Sequence, residues 1–524
     1  MGCCSSKESR DFNNINDIDD DSEPYTDVYH DNTQGLGLKQ RTVDFRSTKV
    51  PDEGMQRPEV PIGQMWTDPE FPLDVAITDE SRREVEWKRP QEIVPDPVLF
   101  ADGPFRLDIQ QRSFGTCWFL SMLSGLADNR DLCKRVINDA SYTPETDGIC
   151  HCRFWNFGEW RDVYIDDYLP VIARTRHLYG AASGTNRNEM WVPLMEKALA
   201  RFHGSYTLVR GGLSSDAYLL LTGGISERID FLRNNSRLAP AELFSRIRIA
   251  LNNGALLTCG VSKDGDGILG LMGPHSYSLS AASVVTKANG EKGYLLRIRN
   301  PHGSNEWTGK WNDRDPEWET LKEGGSINTN RNDGEFWMSL EDFLEYFYRV
   351  TICSQLPDFD KDGQPDSLRY VLNIFGEWRG KAAAGPGRTL RERLRNPRFS
   401  FTVPRKGFAD KDHVPVLVQL IQKTDYKEYA AISCDLFKMA YANEGSSTYY
   451  VYQMEDTEYR NSYFPNLQAT FRYMLPPGRY LVLPSTFLRG VHREFLIRVF
   501  SPGPLYRCRS IPSEINLIPS HQWE

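Results

Sequence analysis

Nucleophilic catalysis by cysteine needs a thiolate, an imidazole to hold its proton and a third group to orient that imidazole. Residues 117–127, Cys-Trp-Phe-Leu-Ser-Met-Leu-Ser-Gly-Leu-Ala, place Trp118, Met122 and Leu126 on one helical stripe with Phe119 and Leu123 beside it. This spacing predicts a helix that starts at or just before Cys117, and the partial positive charge of such an end lowers a thiol pKa. Gly115 permits close approach of a substrate backbone, and Gln111 is placed to point an amide hydrogen at the oxyanion of a tetrahedral intermediate. On composition alone a free cysteine is more often a small buried hydrophobe, so the assignment depends on finding its base.

His275 and Asn300 are the candidates. Pro274 to Ser280 alternates, with His275, Tyr277 and Leu279 on one face, and Tyr294 to Asn300 alternates likewise, with Asn289-Gly290 between them as a hairpin signal. A tight turn there pairs residues 288 and 291, a register in which His275 and Asn300 share one sheet face, offset along it. Half of all registers would do the same. A satisfied core histidine and an asparagine that stops a strand before Pro301 are the competing readings.

The elements that carry these groups belong to a chain of 524 residues, long enough for about three or four domains. Hydrophobic residues make up 40 %, which excludes wholesale disorder. Lys plus Arg total 62 against 71 for Asp plus Glu, a formal charge of −9 that argues against nucleic acid as the main partner and favours divalent cations. No apolar run approaches the ~18 residues of a bilayer-spanning helix, and no secretory signal opens the chain. Ten irregularly spaced cysteines suit a reducing, cytosolic setting.

The start, Met1-Gly2-Cys3-Cys4-Ser5-Ser6, matches an N-myristoylation signal on Gly2, with Cys3 and Cys4 available for palmitoylation as the second anchor. Asp17, Asp19, Asp20, Asp21 and Glu23 lie in a tract without Lys or Arg, expected to be disordered and to be repelled by an anionic membrane. Folded sequence is expected from near Pro58. From Thr351 onward, short strands (Val414 to Ile421, Ser447 to Tyr452, Tyr480 to Pro484, Phe495 to Phe500) between Pro- and Gly-containing turns suggest a β-sandwich. Asp358-Phe-Asp360-Lys-Asp362-Gly363 opens like an EF-hand loop but has Arg369 in the twelfth place and Pro365 inside, which counts against a calcium site. Cys150-His151-Cys152 alternates faces on a strand and is expected to be structural.

Gln111-Arg-Ser-Phe-Gly-Thr-Cys-Trp118, Phe154-Trp-Asn-Phe-Gly-Glu-Trp160, Glu196-Lys197-Ala198, Gly223-Gly224-Ile225, His275-Ser-Tyr-Ser278, Arg299-Asn-Pro-His-Gly303, Glu306-Trp-Thr-Gly309 and Asp333-Gly-Glu-Phe-Trp-Met338 together resemble the calpains over about residues 60 to 510. The chain ends without their penta-EF-hand region, so it looks like an atypical member. The resemblance implies an α+β fold: a papain-like two-lobed cysteine protease core followed by an antiparallel β-sandwich domain. Its boundaries would be a lipidated, acidic, disordered segment 1–58, a nucleophile lobe 59–211, a His/Asn lobe 212–352 and a sandwich 353–524.

The resemblance also implies roles. Cys117 would be the nucleophile, His275 the base, Asn300 its orienter, Gln111 the oxyanion donor, and Gly212 would meet the substrate backbone. Calcium ligands would be the Asp108 and Glu189 carboxylates with the Ala101 and Gly103 carbonyls in the first lobe. In the second they would be Glu306, Asp313, Asp333 and Glu335 with the Arg331 carbonyl. Three residues depart from the family pattern: Thr116 stands for Asp, His302 for the Trp that shields the catalytic pair, and Pro274 for Gly. His302 is expected to leave the His275–Asn300 bond wetter.

The function expected is a calcium-activated endopeptidase that cuts protein substrates at the cytoplasmic face of a membrane, with a cytosolic pool. The alternative is a lipid-anchored, calcium-responsive scaffold with weak or no proteolysis. Transglutaminase-type acyl transfer also uses Cys and His, but Asn300 in the orienter's place speaks against it.

Overall fold

The computed structural model describes residues 56–519 except 145, 232–238, 323–326, 329–330, 355–367, 369, 405–411, 424–427, 443–447, 455–461 and 513–514, together with the backbone of Leu38–Thr42. Gly2, Cys3, Cys4, the acidic tract and the EF-hand-like stretch 358–363 lie outside the described residues.

The first unit is built around helix α1 (Cys117–Ala127), which buries Trp118, Phe119, Leu120, Met122, Leu123 and Leu126. An element apolar on nearly every side must sit inside its unit rather than on it. Around α1 lie α2 (Trp191–His203), ended by Gly204 at φ 102°, and α3 (Ser214–Thr222), ended by Gly223 at φ 65°. The hairpin Ile149–Asn156 with Glu159–Asp166 completes this core. Cys150 and Cys152 share its buried side, their sulfurs 3.9 Å apart, while His151 turns outward to Asp162.

The second unit has its own hydrophobic cluster under a six-stranded sheet. Its strands are β1 (Ile225–Asp230), β2 (Leu256–Val261), β3 (His275–Thr286), β4 (Lys292–Arg299), β5 (Glu335–Ser339) and β6 (Phe347–Ser354), in the order β5-β4-β3-β2-β6-β1. The β3–β4 connection is longer than the tight turn expected, with Thr286 opposite Lys292. That register alone would put His275 and Asn300 on opposite faces. A bulge between Leu279 and Ala281 adds a residue to β3, so Ser278 faces Arg299 and Asn300 follows opposite Tyr277. The shared face is therefore restored by the bulge.

The C-terminal region consists of two sheets that contribute to one hydrophobic cluster, Ile374, Val418 and Ile497 from one and Phe401, Leu436 and Val482 from the other. Two expectations are corrected here. The strands Thr448–Gln453 and Asn516–Pro519 pair in parallel, so the second sheet is not wholly antiparallel: its last strand returns from beyond the hairpins rather than from a turn. And Leu38–Thr42, inside the segment expected to be disordered, pairs as a strand with Tyr370–Trp378 at the edge of the first sheet.

The first of these sheets grips α3. Arg498 donates to the Gly223 carbonyl at 2.7 Å, Gln468 to the Ser215 carbonyl at 2.9 Å, and Arg472 pairs with Glu227 on β1. Among the described residues no helix is long and apolar enough to cross a membrane.

Candidate active site

Cys117 opens α1, and α1 packs against β3. The backbone N–H of Ser276, the residue after His275, acts to hold the thiol pKa down. Two hydroxyl contacts hold this junction: Ser276 Oγ lies 3.1 Å from Ser121 Oγ on α1 and 3.0 Å from Ser214 Oγ on α3. His275 Nε2 meets Asn300 Oδ1 at 2.9 Å, and Asn300 Nδ2 donates to the Asn305 carbonyl at 3.2 Å. The orienting amide is thus fixed at both ends, and its carbonyl oxygen holds the ring with Nδ1 left to take a proton.

The other site residues also come together. Gln111 is buried, bonded through its backbone N–H to the Pro301 carbonyl at 2.7 Å, so the oxyanion segment and the Asn300 segment touch directly. Its amide Nε2 donates to the Phe114 carbonyl at 3.0 Å. Gly212 is exposed, next to Gly211, whose N–H bonds the Gly115 carbonyl at 2.7 Å beside the nucleophile.

Burial decides the electrostatics. It pushes the Cys117 thiol up, against the backbone bonds from Ser276 and Trp118 that hold it down. It brings His275 down to about 4, helped by His302 and opposed by Asn300. The helix end does not lower the thiol as expected, because desolvation outweighs it. Both shifts favour a neutral thiol beside a neutral imidazole at rest.

Comparisons with known proteins place the chain in a family. Residues 66–354 match the model of the calpain family cysteine proteases, and residues 374–500 that of calpain large subunit domain III. The chain belongs to the calpain family. It is 35 % identical to Calpain-B of Drosophila melanogaster over 478 residues, covering 84 % of this chain and 50 % of that protein. Calpain-A of the same organism is 33 % identical over 479 residues, with 84 % and 56 % covered. The human Calpain-2 catalytic subunit is 31 % identical over 500 residues, with 89 % and 70 % covered. The chain spans about half the length of the two Drosophila relatives.

In this calpain the acids expected to hold calcium form two groups. Glu189 accepts from the Ala101 N–H at 2.7 Å and Ser183 Oγ at 3.0 Å, while Asp108 accepts from the Phe105 N–H at 2.9 Å and from Thr185. Gly103 lies on the same turn, at φ 93°. In the second group Glu306 accepts from the Gly334 N–H at 2.8 Å, Asp313 from the Arg331 N–H at 3.0 Å and Asp333 from the Glu335 N–H at 3.0 Å. Desolvation raises Asp108, Glu189, Glu306 and Asp313, and the neighbouring carboxylates add to it. Mutually repelling carboxylates suit a hard cation. As they stand, no three His, Cys, Asp or Glu side chains among the described residues converge on one point, and Glu335 is held by Arg106 at 2.8 Å.

That Arg106–Glu335 pair, joining the two units, was not foreseen, since nothing in local spacing marks residues so far apart in the chain. Nor was the setting of Thr116, whose hydroxyl donates to the buried Glu196 at 2.6 Å. His302, expected to leave the catalytic bond wet, lies with its ring stacked on His275, centroids 5.1 Å apart, and Asn300 is fully buried.

Proposed function

We propose that this calpain is a calcium-activated, membrane-anchored intracellular cysteine endopeptidase with a papain-like two-lobed core, making limited cuts in cytosolic proteins through an acyl-enzyme. The observation that carries the reading is an imidazole held by Asn300 at 2.9 Å on a strand that packs against the helix opened by Cys117. As Cys117 Sγ adds to the scissile carbonyl, His275 Nδ1 takes the thiol proton and Asn300 Oδ1 steadies the imidazolium through Nε2. The amide of Gln111, turned from the Phe114 carbonyl, and the N–H of Cys117 stabilise the oxyanion. His275 returns its proton to the departing amine, then draws one from the water that hydrolyses the thioester.

Asp108 and Glu189 with the Ala101 and Gly103 carbonyls, and Glu306, Asp313, Asp333 and Glu335 with the Arg331 carbonyl, are the residues that would hold calcium. Bound there, the ion supplies positive charge that offsets the repulsion within each group. Gly2, Cys3 and Cys4 support the membrane part of the reading by their order alone.

Purified protein incubated with casein, with calcium or with chelator, tests this. Cleavage should appear only with calcium, and Cys117→Ala should lower it by about a thousandfold or more. Equal cleavage by the variant would remove the protease assignment, and an equal wild-type rate in chelator would remove the calcium dependence.

A further inference from the structure

Three contacts converge on His302. Its ring stacks on His275 at an interplanar angle of 22°, centroids 5.1 Å apart. Its backbone N–H donates at 3.0 Å to Asn300 Oδ1, the oxygen that already holds His275. Its Nδ1 meets the Gln111 carbonyl at 3.2 Å. The Gln111 N–H is bonded to the Pro301 carbonyl, so residues 301 and 302 clasp Gln111 by both its backbone polar groups. Any residue at 302 leaves the Pro301 bond in place. The second bond needs a side chain with a donor, and the stack needs a flat ring.

Resting on the protease reading, we propose that His302 is a positioning residue: it fixes the oxyanion segment against His275, and the two stacked imidazoles take up protons as one coupled pair. The bridge to Gln111 requires a hydrogen on Nδ1, so an added proton goes to Nε2 and leaves the bridge intact. What it adds is a positive charge stacked on the base, which opposes a proton on His275. The titratable and charged groups on the surrounding elements are His275 and Tyr277 on β3, Cys117 on α1, Arg299 on β4 and Arg112 beside Gln111. Arg299 turns to the Leu107 and Ile109 carbonyls, and Arg112 to Gln110. Among these, only the Cys117 thiol and the Tyr277 hydroxyl can become anionic, and burial pushes both up. Burial also brings His302 itself down, against its bond to Gln111.

The test uses the full chain labelled with isotopes at histidine, as wild type, His302→Phe, which keeps a ring without a donor, and His302→Asn, which keeps a donor near the Nδ1 position without the stack. In wild type the His275 ring signal should titrate in two steps. In both variants it should titrate in one, at a midpoint higher by about one pH unit or more. For peptide cleavage, His302→Phe should lower kcat about tenfold to a hundredfold at unchanged KM, and His302→Asn should recover most of it. A His275 midpoint identical in all three proteins overturns the coupling, and a kcat not recovered by His302→Asn overturns the bridge. Should wild type cleave nothing, the protease reading fails while the ring titration still decides the coupling. Thermal melting identifies a variant that does not fold, in which case the other carries the titration.

Discussion

Behind the nucleophile, Glu196 is fully buried between two neutral donors, the Thr116 hydroxyl and the Ala181 N–H. Burial raises its carboxyl from an ordinary 4.5 to about 7. The sign of the effect on stability follows. Below about pH 4.5 both folded and unfolded chains hold this proton. Between about 4.5 and 7 the unfolded chain releases it while the folded one keeps it, so stability falls as pH rises, by about 3 kcal/mol, and levels off above. Glu196→Gln loses one bond but has no charge to hide, so urea unfolding at pH 5 and pH 8 should show a smaller decline than wild type. Parallel declines would show that Glu196 is ionised in the fold at no cost. At this scale the motif around Cys117, His275 and Asn300 was legible in the chain, because the helix stripe and the strand alternation are local. The thiol's state was not, since a helix end is visible in sequence and desolvation is not. The contact of Thr116 with Glu196, 80 residues on, is set by how α1 and α2 pack.

Strand β3 shows how one extra residue directs a side chain. Ser280, at the bulge, accepts from Arg297 Nε at 2.9 Å, which ties the irregularity to β4. Deleting Ser280 should restore a regular ladder in which Leu279 still faces Ile298 and Asn300 still follows opposite Tyr277, so His275 and Asn300 keep one face. Cleavage should then stay within about tenfold of wild type, and the His275 ring should titrate as in wild type, while circular dichroism still reports the sheet. A variant that loses cleavage by about a hundredfold or more would mean that residues 275–279 slip along β4 instead. The alternation of residues 274–280 and 294–300 was enough to find both strands, whereas the shared face was inferred from a tight-turn register and is in fact kept by the bulge. The turn length and the bulge were not legible, because the bulge depends on Arg297 across the ladder rather than on the order of residues in β3.

For the molecule as a whole, length and composition pointed to several packed units, and four of the C-terminal strands lie within a few residues of where the runs between Pro- and Gly-containing turns put them. What local pattern does not contain is the joint: Arg498, Gln468 and Arg472 reach from the first C-terminal sheet to both ends of α3 and to β1, so the segment after Gly212 is seated on the C-terminal region. The proposed membrane attachment belongs to this scale too. One acyl chain binds reversibly, so Cys3→Ser with Cys4→Ser should leave a weakly pelleting protein and Gly2→Ala a soluble one on cell fractionation. A Gly2→Ala protein that stays in the membrane pellet would place the anchor elsewhere. The pairing of Leu38–Thr42 with Tyr370–Trp378 bears on how the protein is handled. Tyr370–Trp378 has Arg493–Ser501 on one flank and Leu38–Thr42 on the other. A version trimmed to begin at residue 56 would move the border of that sheet from the five residues of Leu38–Thr42 to the nine of Tyr370–Trp378, a longer row of amides and carbonyls open to a second molecule. Sedimentation should show that trimmed protein associating with itself, edge against edge, at lower concentration than the full chain.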